Sequence, residues 1–177
     1  ISPKATLLAV RLNETMIQII NIADPKNPKS ASLIELPPDG DVFFVNPSLA
    51  ITSDDKFLLA ADPLFCIFNI SDLESPQMIY SLPGPVITTV VLSVNDKVLF
   101  LGNLKVMSFW TLMDIKNPKM LINFAIQGIP ISATISPNQK TFYFFSSTGT
   151  AVWLYVWDLT NFSPLRVRNK LWVTDES

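Results

Sequence analysis

The stretches Ile51-Thr-Ser-Asp-Asp-Lys56, Leu92-Ser-Val-Asn-Asp-Lys97 and Ile135-Ser-Pro-Asn-Gln-Lys140 decide the fold of this chain, because they are three copies of one pattern. In each copy an aliphatic residue is followed by a hydroxyl residue, two or three turn-forming residues and a lysine. The N-terminal Ile1-Ser-Pro-Lys4 matches the first part of the third stretch and marks a further copy. A pattern that returns at a nearly fixed interval is the signature of a repeat architecture.

Each copy ends in a link that begins with an aspartate and contains a proline. In the three full copies the aspartate follows the lysine by 16, 17 and 18 residues. The links are Asp24-Pro-Lys-Asn-Pro28, Asp72-Leu-Glu-Ser-Pro76, Asp114-Ile-Lys-Asn-Pro118 and Asp158-Leu-Thr-Asn-Phe-Ser-Pro164, of which the last is two residues longer. An aspartate side chain accepts hydrogen bonds from the backbone two residues on, and proline is tolerated at the start of an outer strand. We therefore expect these four aspartates to be structural turn residues.

The repeat length and the strand pattern predict an all-β fold of β-propeller blades. Four copies in 177 residues give about 44 residues each, which is the length of one four-stranded blade. In the third copy, apolar β-rich segments occupy 86–93, 98–101, 106–112 and 120–126. We expect the strands of each copy to run from the least polar, at the centre, to the most polar, at the outside. Such a gradient is typical of four antiparallel strands ordered from the centre of a propeller outwards. We expect blades at about 1–36, 42–82, 86–126 and 129–168.

The strands predicted at the two ends of the chain complement each other. The first copy lacks its inner strand, and Leu171-Trp-Val-Thr-Asp-Glu-Ser177 resembles an additional inner strand of a following or closing blade. The favoured interpretation is that these four repeats belong to a larger propeller. A closed four-bladed ring and self-association through the unpaired inner strand are the alternatives.

Composition excludes several kinds of chemistry. The chain has no histidine and one cysteine, so it cannot form a Ser-His-Asp triad, a Cys-His pair or a structural zinc site, and we expect no catalytic, cofactor-binding or metal-binding residues. The only thiol, Cys66, lies in an apolar run and is predicted to be a buried hydrophobic residue. A carboxylate-only site is left open, with Asp39 and Asp41 as the densest acidic pair, although Pro-Asp-Gly is itself a turn signal.

The predicted partners follow from charge and hydropathy. The net charge is −2, the isoelectric point is about 5.0 and no basic tract occurs, which argues against nucleic-acid binding. No apolar stretch reaches the roughly 20 residues that cross a bilayer, so we expect no direct membrane insertion. The loops predicted on the ligand-facing side are small, apolar and rich in proline: Asp39–Asn46, Ala61–Leu64, Pro83–Pro85, Gly102–Lys105 and Gln127–Pro130. A protein partner or self-association is therefore favoured over a small substrate.

The strand-to-link segments resemble the LVIVD repeat, a β-propeller family. The matching segments are Ile19-Ile-Asn-Ile-Ala-Asp24, Ile67-Phe-Asn-Ile-Ser-Asp72 and Trp110-Thr-Leu-Met-Asp114. The Ser-Pro-Asn-x-Lys turn is also similar to turns of surface-layer propellers. The resemblance implies a binding role in a cell-surface or secreted protein.

Two further groups of residues bear on function. Asn13-Glu-Thr15, Asn69-Ile-Ser71 and Asn161-Phe-Ser163 have the acceptor pattern for N-glycosylation. Asn13 and Asn161 are the candidate glycosylation sites, because Asn69 falls within a predicted strand. The aromatic residues of 142–157 alternate along strands, and we expect most of them to form the core between blades, with an exposed binding ladder as the alternative.

The function that fits these observations is a non-enzymatic propeller module, acting as a protein-interaction or structural scaffold in a cell-surface or extracellular assembly. One alternative is a carboxylate-dependent propeller hydrolase or sugar-active enzyme. The other is an intracellular or ciliary scaffold.

Overall fold

The computed structural model describes residues 1–13, 15–37, 48–61, 64–82, 87–103 and 105–160, and in these ranges the chain is built of β-strands joined by turns, without a helix. The strands are β1 Leu7–Arg11, β2 Met16–Asn21, β3 Lys29–Glu35, β4 Ser48–Ile51, β5 Phe57–Ala61, β6 Phe65–Asn69, β7 Gln77–Leu82, β8 Ile87–Leu92, β9 Val98–Asn103, β10 Val106–Thr111, β11 Lys119–Ala125, β12 Ile129–Ile135, β13 Thr141–Ser147 and β14 Val152–Asp158.

These strands form four antiparallel sheets in chain order. The sheets are β1-β2-β3, β4-β5-β6-β7, β8-β9-β10-β11 and β12-β13-β14. The predicted all-β fold of antiparallel blades is therefore confirmed. The predicted last strand of the fourth blade and the additional strand at 171–177 lie outside the described residues.

The chain divides into two compact units, Ile1–Ile87 and Thr88–Ser177. In the first unit, alternate residues of β1, β2, β5 and β6 point into one core, as the pleat of a strand requires. Ile17 and Ile19 of β2 are fully buried there together with Leu58, Cys66 and Phe68 of the second sheet.

Aromatic rings form the core of the second unit. Phe100 stacks on Phe142 with ring centroids 4.2 Å apart, and Phe109 meets both rings edge-on. The Phe124 ring lies 3.7 Å from that of Trp157. Aromatic pairs of this kind stabilise a core by about 0.5–1.5 kcal/mol each beyond the area that they bury.

One hydroxyl organises the turn between the first two strands of each copy. Ser93 Oγ accepts a hydrogen bond from the N–H of Val98 at 2.9 Å and donates one to Asn95 Oδ1 at 2.7 Å. Asn95 Oδ1 also accepts the N–H of Lys97 at 3.2 Å. Thr52 with Asp54, and Ser136 with Asn138, repeat the arrangement at distances of 2.6 to 3.1 Å. The recurring sequence pattern is therefore a recurring hydrogen-bonded turn.

The same turn places one residue in the left-handed region of backbone space. The φ angles are 56° at Ala5, 65° at Asp55, 56° at Asp96 and 57° at Gln139. Aspartate tolerates this region better than most residues, because its short polar side chain bonds locally. In the first copy Lys4 replaces the acceptor residue, and the hydroxyl of Ser2 instead accepts the N–H groups of Thr6 and Leu7, at 3.3 and 3.1 Å.

Replacing Ser93 with alanine is expected to lower the free energy of unfolding by about 1–3 kcal/mol, the cost of leaving a buried polar group without its partner. Ser93→Thr keeps the hydroxyl, as Thr52 does naturally, and should lose much less. Urea denaturation of both variants measures the difference. Equal losses in the two variants would mean that packing at this position, rather than the hydroxyl, stabilises the turn.

Candidate interaction surface

The link aspartates each hold a turn. Asp24, Asp72 and Asp114 are exposed, and their Oδ1 atoms accept the N–H of the residue two positions on, at 3.1, 3.0 and 3.1 Å. Asn27 Nδ2 also donates to Asp24 Oδ2 at 2.8 Å, and this bond and the one from the Lys26 N–H lower the pKa of Asp24. In each link these bonds organise the local backbone, as predicted for a structural turn residue.

Asp158 has a different place from the other three. Asp158 ends β14, as Asn69 ends β6. The N–H of Leu159 donates to the carbonyl of Lys140 at 2.8 Å, and the N–H of Ile70 donates to that of Lys56 at the same distance. Asp158 accepts the N–H and the hydroxyl of Thr160, at 2.9 and 2.6 Å. Asp158 therefore corresponds to Asn69, and the counterpart of Asp72 is position 161, which lies outside the described residues. Pairing Asp158 with Asp72 by sequence misplaces the fourth copy by three residues.

Two other acidic residues, Asp54 and Asp55, lie in the turn before β5 and form hydrogen bonds there. Burial raises the pKa of Asp54, but hydrogen bonds from the Thr52 hydroxyl and the Lys56 N–H, together with the Lys56 charge, outweigh it and hold the pKa below its ordinary value. Asp55 Oδ2 accepts the hydroxyl of Thr6 at 2.6 Å and lies 3.9 Å from Lys4 Nζ. Within the described ranges no three acidic or sulfur ligands come together as a metal site requires. Asp39, Asp41 and Asp62 lie outside those ranges.

Asp54→Asn is expected to make the fold less sensitive to acid. Because the folded pKa of Asp54 is depressed, its contribution to stability is complete above the unfolded value of about 3.9 and is lost as the pH falls through the folded value. Asparagine keeps the acceptor oxygen, as Asn95 and Asn138 do, but does not titrate. Urea midpoints at pH 7 and pH 3 should differ less in this variant than in the wild type, and Asn95→Asp should widen the difference. An unchanged pH dependence in both variants would contradict this role of the carboxylate.

Of the predicted ligand-facing loops, Gln127–Pro130 is fully described. The N–H of Gln127 donates to Tyr155 Oη at 3.1 Å, and its carbonyl accepts the hydroxyl of Ser146. Gly128 has a φ of 82°, and a Cβ there would lie 2.2 Å from the carbonyl oxygen of Ser147, so no other residue fits. The polar groups of Gln127 thus hold the loop in place. Asp39–Asn46 and Pro83–Pro85 are outside the described residues, and Ala61–Leu64 and Gly102–Lys105 are described in part.

The aromatic residues of the fourth sheet divide between the two faces. Phe142, Phe144, Tyr155 and Trp157 are buried in the core of the second unit. On the opposite face Phe145 is 36% exposed. Most of these rings therefore pack in the core.

The outer strand β11 carries a run of exposed apolar side chains. Met120, Leu121 and Ile122 are 50%, 51% and 37% exposed. In the described residues β11 pairs with β10 along one edge only. An exposed apolar edge strand is unusual, because its unpaired N–H and C=O groups can pair with another chain.

The equivalent strands show how far β11 departs from the repeat. The described outer strands β3, β7 and β11 each have a bulge at the same place, opposite Ile19–Ile20, Ile67–Phe68 and Phe109–Trp110 respectively. Aligned on these bulges, the run Met120–Ile122 corresponds to Ser30-Ala-Ser32 in β3 and to Met78-Ile-Tyr80 in β7, in which Ile79 and Tyr80 are half-buried. An apolar run thus also occurs in β7, where Met78 is 49% exposed, and β11 differs from β3 and β7 in exposing three consecutive large apolar side chains.

Positive charge flanks the apolar run. Lys119 is the first residue of β11, Lys116 lies three residues before it, and both are exposed. The ion pair found among the described residues joins Lys4 to Asp55, so it does not involve these two lysines. We call the surface of Lys116, Lys119 and Met120–Ile122 the β11 edge. Three consecutive apolar residues in a strand expected to be the most polar were the sequence signal for it.

Comparisons with known proteins support the fold. No protein-family model and no curated protein sequence matches the chain. The structure is similar to Kuenenia stuttgartiensis hydrazine synthase, with a TM-score of 0.74 and 14% identity over 98% of this chain and 48% of that one. It is also similar to the β-propeller domain of Cps50 (Swd1) from Myceliophteria thermophila, with a TM-score of 0.64 and 14% identity over 94% and 58% of the two chains.

A third similar structure is a candidate 6-phosphogluconolactonase from Bacteroides fragilis, with a TM-score of 0.69 and 14% identity over 93% of this chain and 56% of that one. The chain spans about half the length of these solved structures. Its fold is that of part of a β-propeller. No helix of membrane-spanning length and hydropathy occurs in the described part of the chain.

Proposed function

We propose that this chain is a β-propeller module without a catalytic role, which serves as a protein-interaction or structural scaffold in a cell-surface or extracellular assembly. The observation that supports the proposal is the β11 edge, where three large apolar side chains lie exposed on an edge strand. Contiguous exposed apolar groups on a folded surface are typical of binding sites, because water solvates them poorly.

The partner that fits the β11 edge is an extended segment of another polypeptide. Such a segment would add a strand beside β11 through main-chain hydrogen bonds. Met120 pairs with Trp110 and Ile122 with Phe109, so the bulge turns them to opposite faces, and the added strand would contact Met120 on one face and Ile122 on the other. Lys116 and Lys119 favour an acidic residue in the partner segment near the start of β11.

Two predictions from the sequence bear on the setting of this interaction. The resemblance to LVIVD and surface-layer repeats supports a location at the cell surface. Self-association through 171–177 is a separate mode of assembly, which a substitution in β11 would leave unchanged.

A sugar-active hydrolase is the second candidate function. The observation that favours it is the structural similarity to the candidate 6-phosphogluconolactonase of Bacteroides fragilis. Assay of the purified full-length protein for hydrolysis of 6-phosphogluconolactone, with and without added divalent cations, tests it. Enzymatic turnover that Asp39→Asn and Asp41→Asn abolish would favour the hydrolase over the scaffold.

Leu121→Asp is expected to abolish partner binding without unfolding the protein. Leu121 is half exposed, so the variant should fold, but a carboxylate buried without a partner in an apolar contact costs several kcal/mol. At about 1.4 kcal/mol for each factor of ten, the affinity should fall at least tenfold. The matched control is Leu33→Asp, because Leu33 lies on the outer strand β3 and is 54% exposed.

The measurement is quantitative co-purification of the tagged, full-length protein from its native source, with isotope-labelled wild type as the reference. The proposal predicts that Leu121→Asp loses one or more specific partners and that Leu33→Asp retains them. Identical partners in all three proteins would contradict the assignment of β11 as the docking strand.

A further inference from the structure

We infer that Asn13 is an N-glycosylation site of the folded protein, an inference that rests on the extracellular location in the proposed function. The chain carries three acceptor sequences, at Asn13, Asn69 and Asn161. The structure separates the first two by their surroundings, and Asn161 lies outside the described residues.

Asn13 lies at the tip of the hairpin between β1 and β2. The N–H of Leu12 donates to the carbonyl of Met16 at 2.9 Å and closes the hairpin, which leaves Asn13 and Thr15 exposed beyond it. Asn13 Oδ1 accepts the N–H of Thr15 at 2.9 Å and lies 3.3 Å from its hydroxyl. The oxygen side of the amide is thus turned towards Thr15, and no described residue accepts a hydrogen bond from Asn13 Nδ2.

Asn69 has the same acceptor pattern in a confined place. It ends β6 between two neighbouring strands, where Phe57 and Gln77 are its partners in the sheet. Its side chain is half-buried, and the next residue, Ile70, is 1% exposed. A branched oligosaccharide is bulky and hydrophilic, so it must project from the surface of a folded protein. The hairpin tip satisfies this requirement and the end of β6 does not.

The modification joins Asn13 Nδ2 to the anomeric carbon of an oligosaccharide whose donor is linked to lipid pyrophosphate. The new bond is C–N, the bond that breaks is the one between the sugar carbon and the pyrophosphate oxygen, and the lipid pyrophosphate leaves with the electron pair. The amide nitrogen loses one proton to a base of the transferase. Thr15 provides the hydroxyl that the acceptor sequence requires two residues after the asparagine.

The test routes the full-length protein through the secretory pathway of a eukaryotic host with an added signal peptide. Glycan occupancy is read at each asparagine by mass spectrometry after peptide N-glycosidase treatment in ¹⁸O-water. Asn13→Gln and Thr15→Ala should each abolish the modified peptide at position 13, and Thr15→Ser should retain it. Asn69→Gln should leave the total glycan mass unchanged.

Asn21 provides a matched control that separates the effect of exposure from that of the acceptor sequence. Asn21 also ends a strand and accepts the N–H of the residue two positions on, at 3.0 Å, as Asn69 does, but Asn21 is exposed and residue 23 is alanine. Ala23→Thr gives Asn21 the acceptor sequence. Occupancy at Asn21 in this variant, together with an unmodified Asn69, is the result expected if exposure decides.

An unmodified Asn13 in the secreted, folded protein, or a glycan on Asn69 at similar occupancy, would overturn the inference. The proposed location is tested separately by analysis of the protein from its native source. If Asn13 is modified in the routed protein and bare in the native one, the site is competent and the proposed extracellular location loses this support.

Discussion

The structure depends on the need of each small sheet to cover an apolar face. A sheet of three or four strands cannot bury its apolar side chains alone, and a repeat protein meets this constraint by stacking one sheet against the next. In the first unit Ile17 and Ile19 of one sheet pack with Leu58 and Phe68 of another, and in the second unit Phe100 packs with Phe142. A chain that is 49% hydrophobic and 16% charged has the composition that this arrangement needs.

The turns could be predicted from sequence because their interactions are local. The hydroxyl of Ser93 bonds to residues two and five positions further on, so the pattern at 92–97 contains all the atoms that form the turn. The longer fourth copy shows the limit of this reasoning. Strands β13 and β14 pair over seven residues each, and their length is set by cross-strand pairing and not by a local motif. Asp158 consequently ends a strand where the sequence spacing placed it in the link.

The β11 edge could not be assigned from the sequence, although its residues were visible there. The bulge opposite Phe109–Trp110 determines how the side chains of β11 are displayed, and its position depends on the pairing of two strands. Local rules favour polar residues at an exposed edge, since they oppose aggregation. A strand that breaks such a rule without help to the fold is where function is expected. At the same bulge β3 carries small residues, and β7 carries the half-buried Ile79 and Tyr80 beside an exposed Met78, so the scaffold does not need three exposed apolar side chains there.

The most direct test is electron cryo-microscopy of the complete protein isolated with its partners from the native source. We expect antiparallel four-stranded blades with a segment of a separate polypeptide lying along β11, in contact with Met120 and Ile122. A β11 edge covered by another part of the same polypeptide, or one that is bare in every assembly containing the protein, would contradict the central claim that this strand is an intermolecular docking site.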